Sequence, residues 1–390
     1  MAALIPVEIA RIIAGYLKDK QSLLNLLLVS RAFHLLAEPY LYNDVSFCQQ
    51  REHTIHNFLL GLTASGGRCT HFVKRLRLPI IPPLRSRLYT SYQTVLTLVP
   101  NLEDLQFYPS RSTGLLKRFD LQDFLNGPSS PPAFMLKHFA WHSRCSLDSI
   151  GLTWFLASQK SLECLSLMTF HAADAIPTLP KLRVLHALNL AAARRSLETN
   201  QVTHLRINNC TTSLDLNDAA LLNVVVCVLY LDTLEELSEA AVRMPNLECF
   251  EINVLSSPIP TTLSRLNVLK GATKLHHLRI RTAVPRHWQD HPWDHNDVLK
   301  AFDSLPSLSH ISIQLVPAMN FPEYYHFTKG VLQPTKIRSL YPELEWWHDW
   351  MDDHATVRFA LNEPPQIGYQ GDLHDAAGES EDQDETSYFD

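Results

Sequence analysis

A six-residue pattern, apolar-x-x-apolar-x-apolar, recurs along the chain and restricts its possible folds more than any other feature. It occurs as VKRLRL from residue 73, LEDLQF from 102, LKHFAW from 136, LECLSL from 162, LRVLHA from 182, VTHLRI from 202, VCVLYL from 226, LECFEI from 247, LHHLRI from 275 and LSHISI from 308. Successive copies start 20 to 34 residues apart. A unit of that length buries its apolar side only by stacking on the next unit. The repetition predicts an α/β solenoid over residues 70–317, with short parallel strands in a curved sheet and helices outside it.

Prolines mark the turns that lead into several of these strands. Four units carry a proline two residues before their first apolar residue, at Pro100, Pro180, Pro245 and Pro306. Proline ends a helix because it lacks the backbone N–H and clashes with the previous turn. The units resemble degenerate leucine-rich repeats, and Asn208-Asn209-Cys210 matches that family's pattern best. The units at 182 and 226 fit less well than the other eight, and apolar alternation in another α/β fold stays open as the alternative.

The apolar opening MAALIPVEIARIIAGYLKDKQSLLNLLLVSRAF has a helical period. Nothing basic precedes Arg11, and charged residues interrupt the run before the roughly 20 apolar residues that a membrane-spanning helix needs. We therefore expect neither a secretion signal nor a membrane anchor. Pro6 suits a first helical position, a second helix follows a turn with Ser22 as its cap, and a third covers Arg31 to Glu38 and ends before Pro39.

Three short helices in about 40 residues rarely bury enough surface to be stable alone, so their surplus apolar side chains require a partner surface. The stretches Ile5-Pro6-Val7-Glu8-Ile9 and Val29-Ser30-Arg31-Ala32-Phe33 resemble an F-box, here residues 1–42. Ile5 and Phe33 are departures from the family's commoner Leu and Trp, and both conserve size and apolarity. An F-box followed by degenerate leucine-rich repeats is similar to the arrangement in fungal F-box proteins.

The resemblance implies a substrate-recognition subunit of an SCF (Skp-cullin-F-box) ubiquitin ligase. The F-box would bind the Skp adaptor, and through it a cullin-RING ligase, while the repeats bind a protein substrate. The residues implied to face the adaptor are Ile5, Pro6, Glu8, Ile9, Ile13, Leu17, Leu23, Leu27, Val29 and Phe33. The alternative is a leucine-rich-repeat scaffold whose N-terminal helices only cap the solenoid.

The ends of the solenoid require covers, because a terminal repeat has no neighbour on one side. We assign residues 43–69 to a linker or N-terminal cap and 318–363 to a C-terminal cap rich in Trp. After Arg358 the chain has nine acidic residues and no Lys or Arg, so 364–390 is expected to be a disordered acidic tail. The net charge of the whole chain is -6, which leaves about +3 on residues 1–358.

Side chains at the third, fifth and seventh positions of each unit are expected on the concave face of the sheet. The candidate substrate-binding residues there are Arg206, Arg279, Arg281, His204 and His277. Arginines and histidines on one face favour an acidic or phosphorylated protein partner, with affinity rising as the histidines become protonated. A solvated polar face and a site formed by loops are the alternatives, and Trp288 and Trp293 are the loop candidates.

The remaining sequence features argue against metal binding and catalysis by this chain. The stretch HWQDHPWDH places His287, His291 and His295 four residues apart, but Pro292 interrupts a common helix and no HExxH glutamate is present. We expect no metal, no cofactor, no catalytic residue and no enzyme activity. The mildly basic body predicts no nucleic-acid partner. Seven scattered cysteines without a CxxC pair favour buried free thiols in a reducing compartment, cytoplasmic or nuclear.

Overall fold

The computed structural model describes residues 5–17, 19–47, 52–64, 67–80, 87–109, 118–119, 121–125, 132–142, 146–167, 176–210, 218–231, 243–254, 259–284, 295–317, 323–331 and 335–338. The predicted acidic tail, Trp288, Trp293 and the tryptophans of the predicted C-terminal cap lie outside these residues. No helix in the described part of the chain is long and apolar enough to cross a membrane.

The chain begins with three helices, α1 (Val7–Tyr16), α2 (Lys20–Leu27) and α3 (Arg31–Asn43). The cap of α2 is Asp19, whose side chain accepts a hydrogen bond from the Ser22 N–H at 2.7 Å, so the predicted cap at Ser22 is wrong by one turn. The predicted end before Pro39 is also wrong. Proline removes one hydrogen bond and disfavours a helical residue before it, but packing of Ala37 and Glu38 in the interior keeps α3 helical through Pro39.

A parallel sheet follows directly from α3. Its strands are β1 (Asp44–Ser46), β2 (Arg75–Ile80), β3 (Asp104–Pro109), β5 (His138–Trp141), β7 (Cys164–Leu167), β8 (Val184–Asn189), β9 (His204–Cys210), β10 (Val226–Leu231), β11 (Cys249–Val254), β12 (His277–Val284) and β13 (His310–Pro317). They are hydrogen-bonded in this order. A separate two-stranded sheet joins β4 (Arg118–Phe119) to β6 (Ser146–Leu147).

One hydrogen-bond arrangement fixes the register between consecutive units. The backbone carbonyl of the second residue in one unit accepts hydrogen bonds from the N–H groups of the second and third residues of the next unit. For example, the Lys74 carbonyl accepts from the N–H groups of Glu103 and Asp104 at 2.9 and 3.0 Å. This arrangement recurs from the unit at 73 to the unit at 308. Because the Val225 carbonyl accepts from Glu248 and Cys249, the unit assigned to 226 starts at Val224.

The sheet contains a further unit that the sequence analysis missed. Tyr42 to Phe47 reads YNDVSF and has the same apolar-x-x-apolar-x-apolar pattern. The Asn43 carbonyl accepts from the Lys74 N–H at 3.0 Å, and β1 pairs with β2 in parallel. The predicted linker at 43–69 therefore contains the first strand of the sheet.

The other helices in the described part of the chain pack on one side of this sheet. They are α4 (Glu52–Ala64), α5 (Arg87–Leu98), α6 (Leu121–Phe124), α7 (Ser149–Ser158), α8 (Leu190–Thr199), α9 (Asp218–Leu221), α10 (Ile259–Ser264) and α11 (His295–Ser304), with 3₁₀ helices at Arg68–Phe72 and Leu266–Gly271. The fourth and sixth residues of the units, such as Leu205 and Ile207, form one buried cluster with helix residues such as Ala193 and Leu197. The predicted α/β solenoid after an N-terminal helical module is confirmed.

At the far end the sheet changes direction. Strands β14 (Glu323–Thr328) and β15 (Thr335–Arg338) add to β13 in antiparallel fashion. Gly330 forms the turn after β14 with φ +81°, a left-handed conformation that favours glycine. The position of the predicted C-terminal cap thus contains an antiparallel hairpin at the edge of the sheet.

Candidate functional site

The first candidate surface lies on the three N-terminal helices. Helix α1 packs inward through the small side chains Ala10 and Ala14, and an added Cβ at Gly15 would lie 3.3 Å from the Tyr40 hydroxyl of α3. Small residues at this crossing let the two helices approach closely. The large apolar side chains of α1 consequently point away from the module.

The ten residues predicted to face an adaptor differ in their exposure to solvent. Ile5, Pro6, Glu8, Ile9, Ile13 and Val29 are exposed, Leu17, Leu27 and Phe33 are partly buried, and Leu23 is buried. Leu23 is only 4% exposed, so its predicted contact with a partner is wrong and it belongs to the interior of the module. Glu8 lies in the first turn of α1, where a carboxylate complements the positive end of the helix dipole.

Several exposed apolar side chains of this surface were missed by the sequence analysis. They are Val7, Ile12, Tyr16, Leu24, Leu28 and Leu35. Leu28 is 86% exposed and Tyr16 80%. Large exposed apolar side chains concentrated on one small helical module are typical of an interaction site. The N-terminal module therefore presents an apolar surface that we call the helical docking surface, formed by the exposed residues named in this and the preceding paragraph.

The second candidate surface is the side of the sheet that faces away from the helices. It is formed by the third, fifth and seventh residues of the units, and we call it the polar face. Two of its arginines have little contact with solvent, since Arg206 is 7% exposed and Arg279 9%. Charged groups with so little exposure are uncommon unless something pairs with them or covers them.

A chain of hydrogen bonds crosses four neighbouring strands at the centre of the polar face. Ser166 Oγ lies 2.9 Å from His186 Nδ1, and His186 Nε2 lies 2.9 Å from Asn208 Oδ1. Arg206 donates from Nε to Asn208 Oδ1 at 3.3 Å and from Nη2 to the Tyr230 hydroxyl at 2.6 Å. The guanidinium carbon also lies 5.3 Å from the centre of the Tyr230 ring. These contacts hold the Arg206 guanidinium in one orientation.

A second group of contacts orients Arg279. Its Nη1 lies 3.4 Å from Glu251 Oε2, and its Nη2 donates to Gln314 Oε1 at 2.9 Å. Asn253 donates to Glu251 Oε1 at 3.2 Å. Arg281 lies two residues further along the same strand, β12, and is partly buried. The structure thus places Arg206, Arg279 and Arg281, three of the predicted substrate residues, on the polar face.

The predicted histidines also lie on the polar face. His204 is buried, with Nδ1 2.8 Å from Thr203 Oγ1. His277 stacks on His310, which stacks on His326, with ring centres 4.8 and 5.4 Å apart. Burial, with a smaller contribution from nearby histidines, lowers the pKa of His277 and of His326 to about 4.

These pKa shifts change the expected pH dependence of binding. Burial, followed by the Arg206 charge, lowers the pKa of His142 to about 4 and that of His186 well below its usual value. Burial likewise lowers the pKa of His138 to about 4. These imidazoles are neutral near pH 7. Their protonation, which was expected to raise affinity for an acidic partner, therefore requires a pH well below neutral.

The N-terminal part of the polar face contains an acidic group with an unusual environment. Asp104 is 1% exposed, and its Oδ1 accepts from Gln106 Nε2 at 3.1 Å. Burial raises the pKa of Asp104 to about 7, although the charges of Arg77 and Arg75 oppose that rise. In the described part of the chain Asp104 Oδ2, His142 Nδ1 and Asn253 Oδ1 are buried polar atoms with no hydrogen-bond partner.

The residues considered as loop contacts or as metal ligands are only partly described. Trp288, Trp293, His287 and His291 lie outside the described residues, and His295 begins α11. Within the described ranges no three His, Cys, Asp or Glu side chains are grouped so that they could hold a metal ion. Four cysteines with described side chains, Cys69, Cys164, Cys227 and Cys249, are buried free thiols.

An open cleft of about 320 Å³ lies between α4 and α5. It contains a serine and a histidine in contact, with His56 Nδ1 3.0 Å from Ser91 Oγ. Its other described lining residues are leucines and threonines, so this part of the lining contains no carboxylate to orient the imidazole. The arrangement is therefore incomplete as a Ser-His-acid nucleophile site.

Comparison with known proteins identifies the N-terminal module. Residues 2–48 match the family model described as F-box-like. A search of curated protein sequences gave no match. Among solved structures, the leucine-rich repeat-containing protein LegL7 from Legionella pneumophila is similar at 15% identity and a TM-score of 0.34, over 63% of this chain and 91% of that chain. The repeat architecture described above rests on the strand pairing of this chain.

Proposed function

We propose that this chain, with its F-box-like module at residues 2–48, is the substrate-recognition subunit of an SCF-type ubiquitin ligase. The exposed apolar side chains of the helical docking surface carry the proposal. F-box domains generally bind Skp-type adaptors, and an apolar surface of this kind gains free energy when a partner covers it. The adaptor would connect the chain to a cullin-RING ligase in the cytoplasm or nucleus.

The solenoid would bind the substrate through its polar face. Arg206, Arg279, Arg281, His204 and His277 are the proposed contact residues, with Trp288 and Trp293 as proposed loop contacts. Guanidinium groups held in fixed orientations pair well with carboxylates and phosphates, so an acidic or phosphorylated protein is the proposed substrate class. The described residues supply no covalent chemistry in this scheme. Catalysis arises because the complex raises the local concentration of substrate beside the ubiquitin carrier.

Adaptor binding by the full chain tests the proposal. We expect purified Skp adaptor to bind the wild-type chain and to lose about tenfold or more in affinity for Leu28→Asp, because the charge must be desolvated in an apolar interface. Leu222→Asp is the matched control, since Leu222 is an exposed leucine in a turn of the solenoid. Leu222→Asp should bind like the wild type.

The same experiment separates this proposal from the scaffold alternative. If the N-terminal helices only cap the solenoid, the folded wild-type chain will not bind the adaptor. Equal binding by wild type and Leu28→Asp would also contradict the helical docking surface as the contact. Thermal unfolding of all three chains checks that each variant is folded.

A further inference from the structure

The N-terminal part of the polar face carries an exposed arginine, Arg75. Its neighbours Leu76 and Leu78 on β2 are buried against the helices, so the Arg75 side chain lies on the polar face. The Arg75 guanidinium has no ion pair or hydrogen bond to any described residue. Arg77, two residues along the same strand, is instead paired with Asp44 at 3.6 Å. Arg75 is therefore a positive charge that a partner can contact.

A buried carboxyl group lies beside Arg75. The register between β2 and β3 places Asp104 directly opposite Arg75. Asp104 is 1% exposed, so a partner that contacts Arg75 does not touch it. Its Oδ1 accepts a hydrogen bond from Gln106, whereas its Oδ2 is buried without a hydrogen-bond partner among the described residues. Asp104 therefore acts on Arg75 through its charge alone.

Several titratable or charged groups face Asp104 from the neighbouring strands. They are Asp44 on β1, Arg75 and Arg77 on β2, His138 on β5 and Cys164 on β7. Burial lowers the pKa of His138 to about 4 and raises the pKa of the Cys164 thiol, so both groups are neutral near pH 7. Burial raises the pKa of Asp104 to about 7, against the charges of Arg77 and Arg75. Asp104 therefore changes its charge between pH 6 and pH 8.

This change of charge alters the potential around Arg75. While Asp104 is protonated, the Arg75 and Arg77 guanidinium groups outnumber the Asp44 carboxylate by one charge. Once Asp104 is ionised, the positive and negative charges are equal in number. An anion held by Arg75 is repelled by an ionised Asp104 and not by a protonated one. By linkage, an anion that prefers the protonated state also favours proton uptake by Asp104.

We propose that Arg75 binds a carboxylate of an acidic protein substrate and that this binding is coupled to protonation of Asp104. The inference rests on the proposed role of the polar face as the substrate surface, and it adds a contact outside the residues proposed above. The guanidinium would hold the carboxylate through charge-assisted hydrogen bonds. Asp104 takes up a proton from solvent when the substrate binds and releases it when the substrate leaves. Substrate affinity therefore falls as the pH rises through 7.

The test uses the full-length chain and an N-acetylated peptide of six glutamates with a pH-insensitive label, whose carboxylates are ionised at both pH 6 and pH 8. We expect fluorescence anisotropy at low salt to show that Asp104→Asn binds the peptide about tenfold more tightly than the wild type at pH 8, because the repelling charge is gone. At pH 6 the two chains should bind alike. Asp303→Asn, at an exposed position on α11, is the control and should bind like the wild type at both pH values.

Variants of Arg75 locate the contact. Arg75→Ala should weaken peptide binding at pH 6 about tenfold or more, because a charge-assisted hydrogen bond is lost. Arg75→Lys should give an intermediate loss, since it keeps the charge but not the planar fork. Arg194→Ala is the matched control because Arg194 is exposed on α8, on the helix side of the sheet, and it changes the net charge equally. It should leave binding unchanged.

Proton uptake provides a second readout that a merely structural role of Asp104 would not change. Isothermal titration calorimetry at pH 7 in two buffers of different ionisation enthalpy measures the protons taken up when the peptide binds. We expect the wild type to take up a fraction of a proton more per bound peptide than Asp104→Asn does.

Three results would overturn the proposal. They are equal peptide binding by Asp104→Asn and the wild type at pH 8, equal losses for Arg75→Ala and Arg194→Ala, and no peptide binding by the folded wild-type chain. Thermal unfolding of each variant confirms that a loss of binding is not a loss of fold. Adaptor binding measured on the same samples is independent, so failure of the proposed ligase role and failure of the Arg75 contact give different results.

Discussion

The carboxylate of Glu38 lies 2.5 Å from the guanidinium of Arg68 and joins the N-terminal helices to the solenoid. Glu38 is on α3, and Arg68 begins the 3₁₀ helix that precedes β2. The Glu38 side chain is 6% exposed, whereas that of Arg68 is 58% exposed. Cys69 Sγ also lies 3.5 Å from Glu38 Oε1. Together with the direct passage from α3 into β1, this contact fixes the helical docking surface relative to the sheet.

We expect Arg68→Ala to lower the free energy of unfolding by about 1–3 kcal/mol, because the buried Glu38 carboxylate loses a charge-assisted hydrogen bond. Urea unfolding followed by circular dichroism measures this change. Arg31→Ala, at an exposed position on α3, is the control and should change stability by less than about 0.5 kcal/mol. Equal effects of the two variants would show that the Glu38 contact does not stabilise the chain.

Substitution of Leu23 in α2 should lower the stability of the chain, whereas substitution of Leu28 in the turn after α2 should not. Leu23→Ala removes a buried side chain and should destabilise the N-terminal helices by about 2–5 kcal/mol, as cavity-forming substitutions do. Leu28→Ala should leave the unfolding midpoint unchanged, because Leu28 is already exposed to solvent. Thermal unfolding of the full chain separates the two. A larger loss for Leu28→Ala would contradict the observed orientation of these residues.

The raised pKa of Asp104 predicts a stability that falls with increasing pH. An Asp with a pKa of about 7 in the folded chain and near its ordinary value when unfolded binds more protons when folded between about pH 4 and 7. Its contribution is therefore most favourable below pH 4 and is lost as the pH rises through 7. We expect Asp104→Asn to increase the free energy of unfolding at pH 8, relative to pH 5, by an amount on the order of a few kcal/mol.

The quantity to compare is the difference in the free energy of unfolding between pH 5 and pH 8, measured within each chain. Asp303→Asn, at an exposed position on α11, should leave that difference unchanged. Identical pH dependence in Asp104→Asn and the wild type would contradict the raised pKa.

The stacked histidines predict the opposite pH dependence. A histidine whose folded pKa is about 4 contributes its full stability above the unfolded value of about 6.5 and loses it as the pH falls toward 4. His277→Gln should therefore reduce the stability lost between pH 7.5 and pH 5 by on the order of 1–2 kcal/mol. Guanidinium unfolding at the two pH values measures this difference.

His53→Gln is the control for the stacked histidines, because His53 is exposed on α4 and is not one of the groups that shift the pKa of His277. It should retain the pH dependence of the wild type. If His277→Gln and the wild type lose the same stability between pH 7.5 and pH 5, His277 is not buried in its neutral form.

The strands and their register followed largely from local sequence. In the unit at 202, apolar Val202, Leu205 and Ile207 alternate with polar residues, and each apolar residue is buried. The same pattern correctly predicted a strand even in the unit at 182, where the sequence fits the pattern less well. The start at 224 rather than 226 was missed because a run of apolar residues fits the pattern in two registers that differ by two residues. Hydrogen bonds from neighbouring units select one of them.

The site was less predictable than the fold. Arg206 was identified from its place in the pattern, but its positioning contacts come from Asn208 on its own strand and Tyr230 on the next. The burial of Leu23 depends on how the three N-terminal helices pack, and apolar character all round α2 does not say which side is covered. Helix α3 continues through Pro39 because tertiary packing outweighs one lost hydrogen bond.

The sequence alone determined that the chain has an N-terminal helical module and a solenoid of parallel strands, because helix and strand periods depend on residues a few positions apart. Tertiary structure decided which apolar side chains remain exposed, which histidines stay neutral and how Arg206 is oriented. These properties depend on residues about 20 or more positions apart, such as Ser166 and His186, that become neighbours only when the units stack.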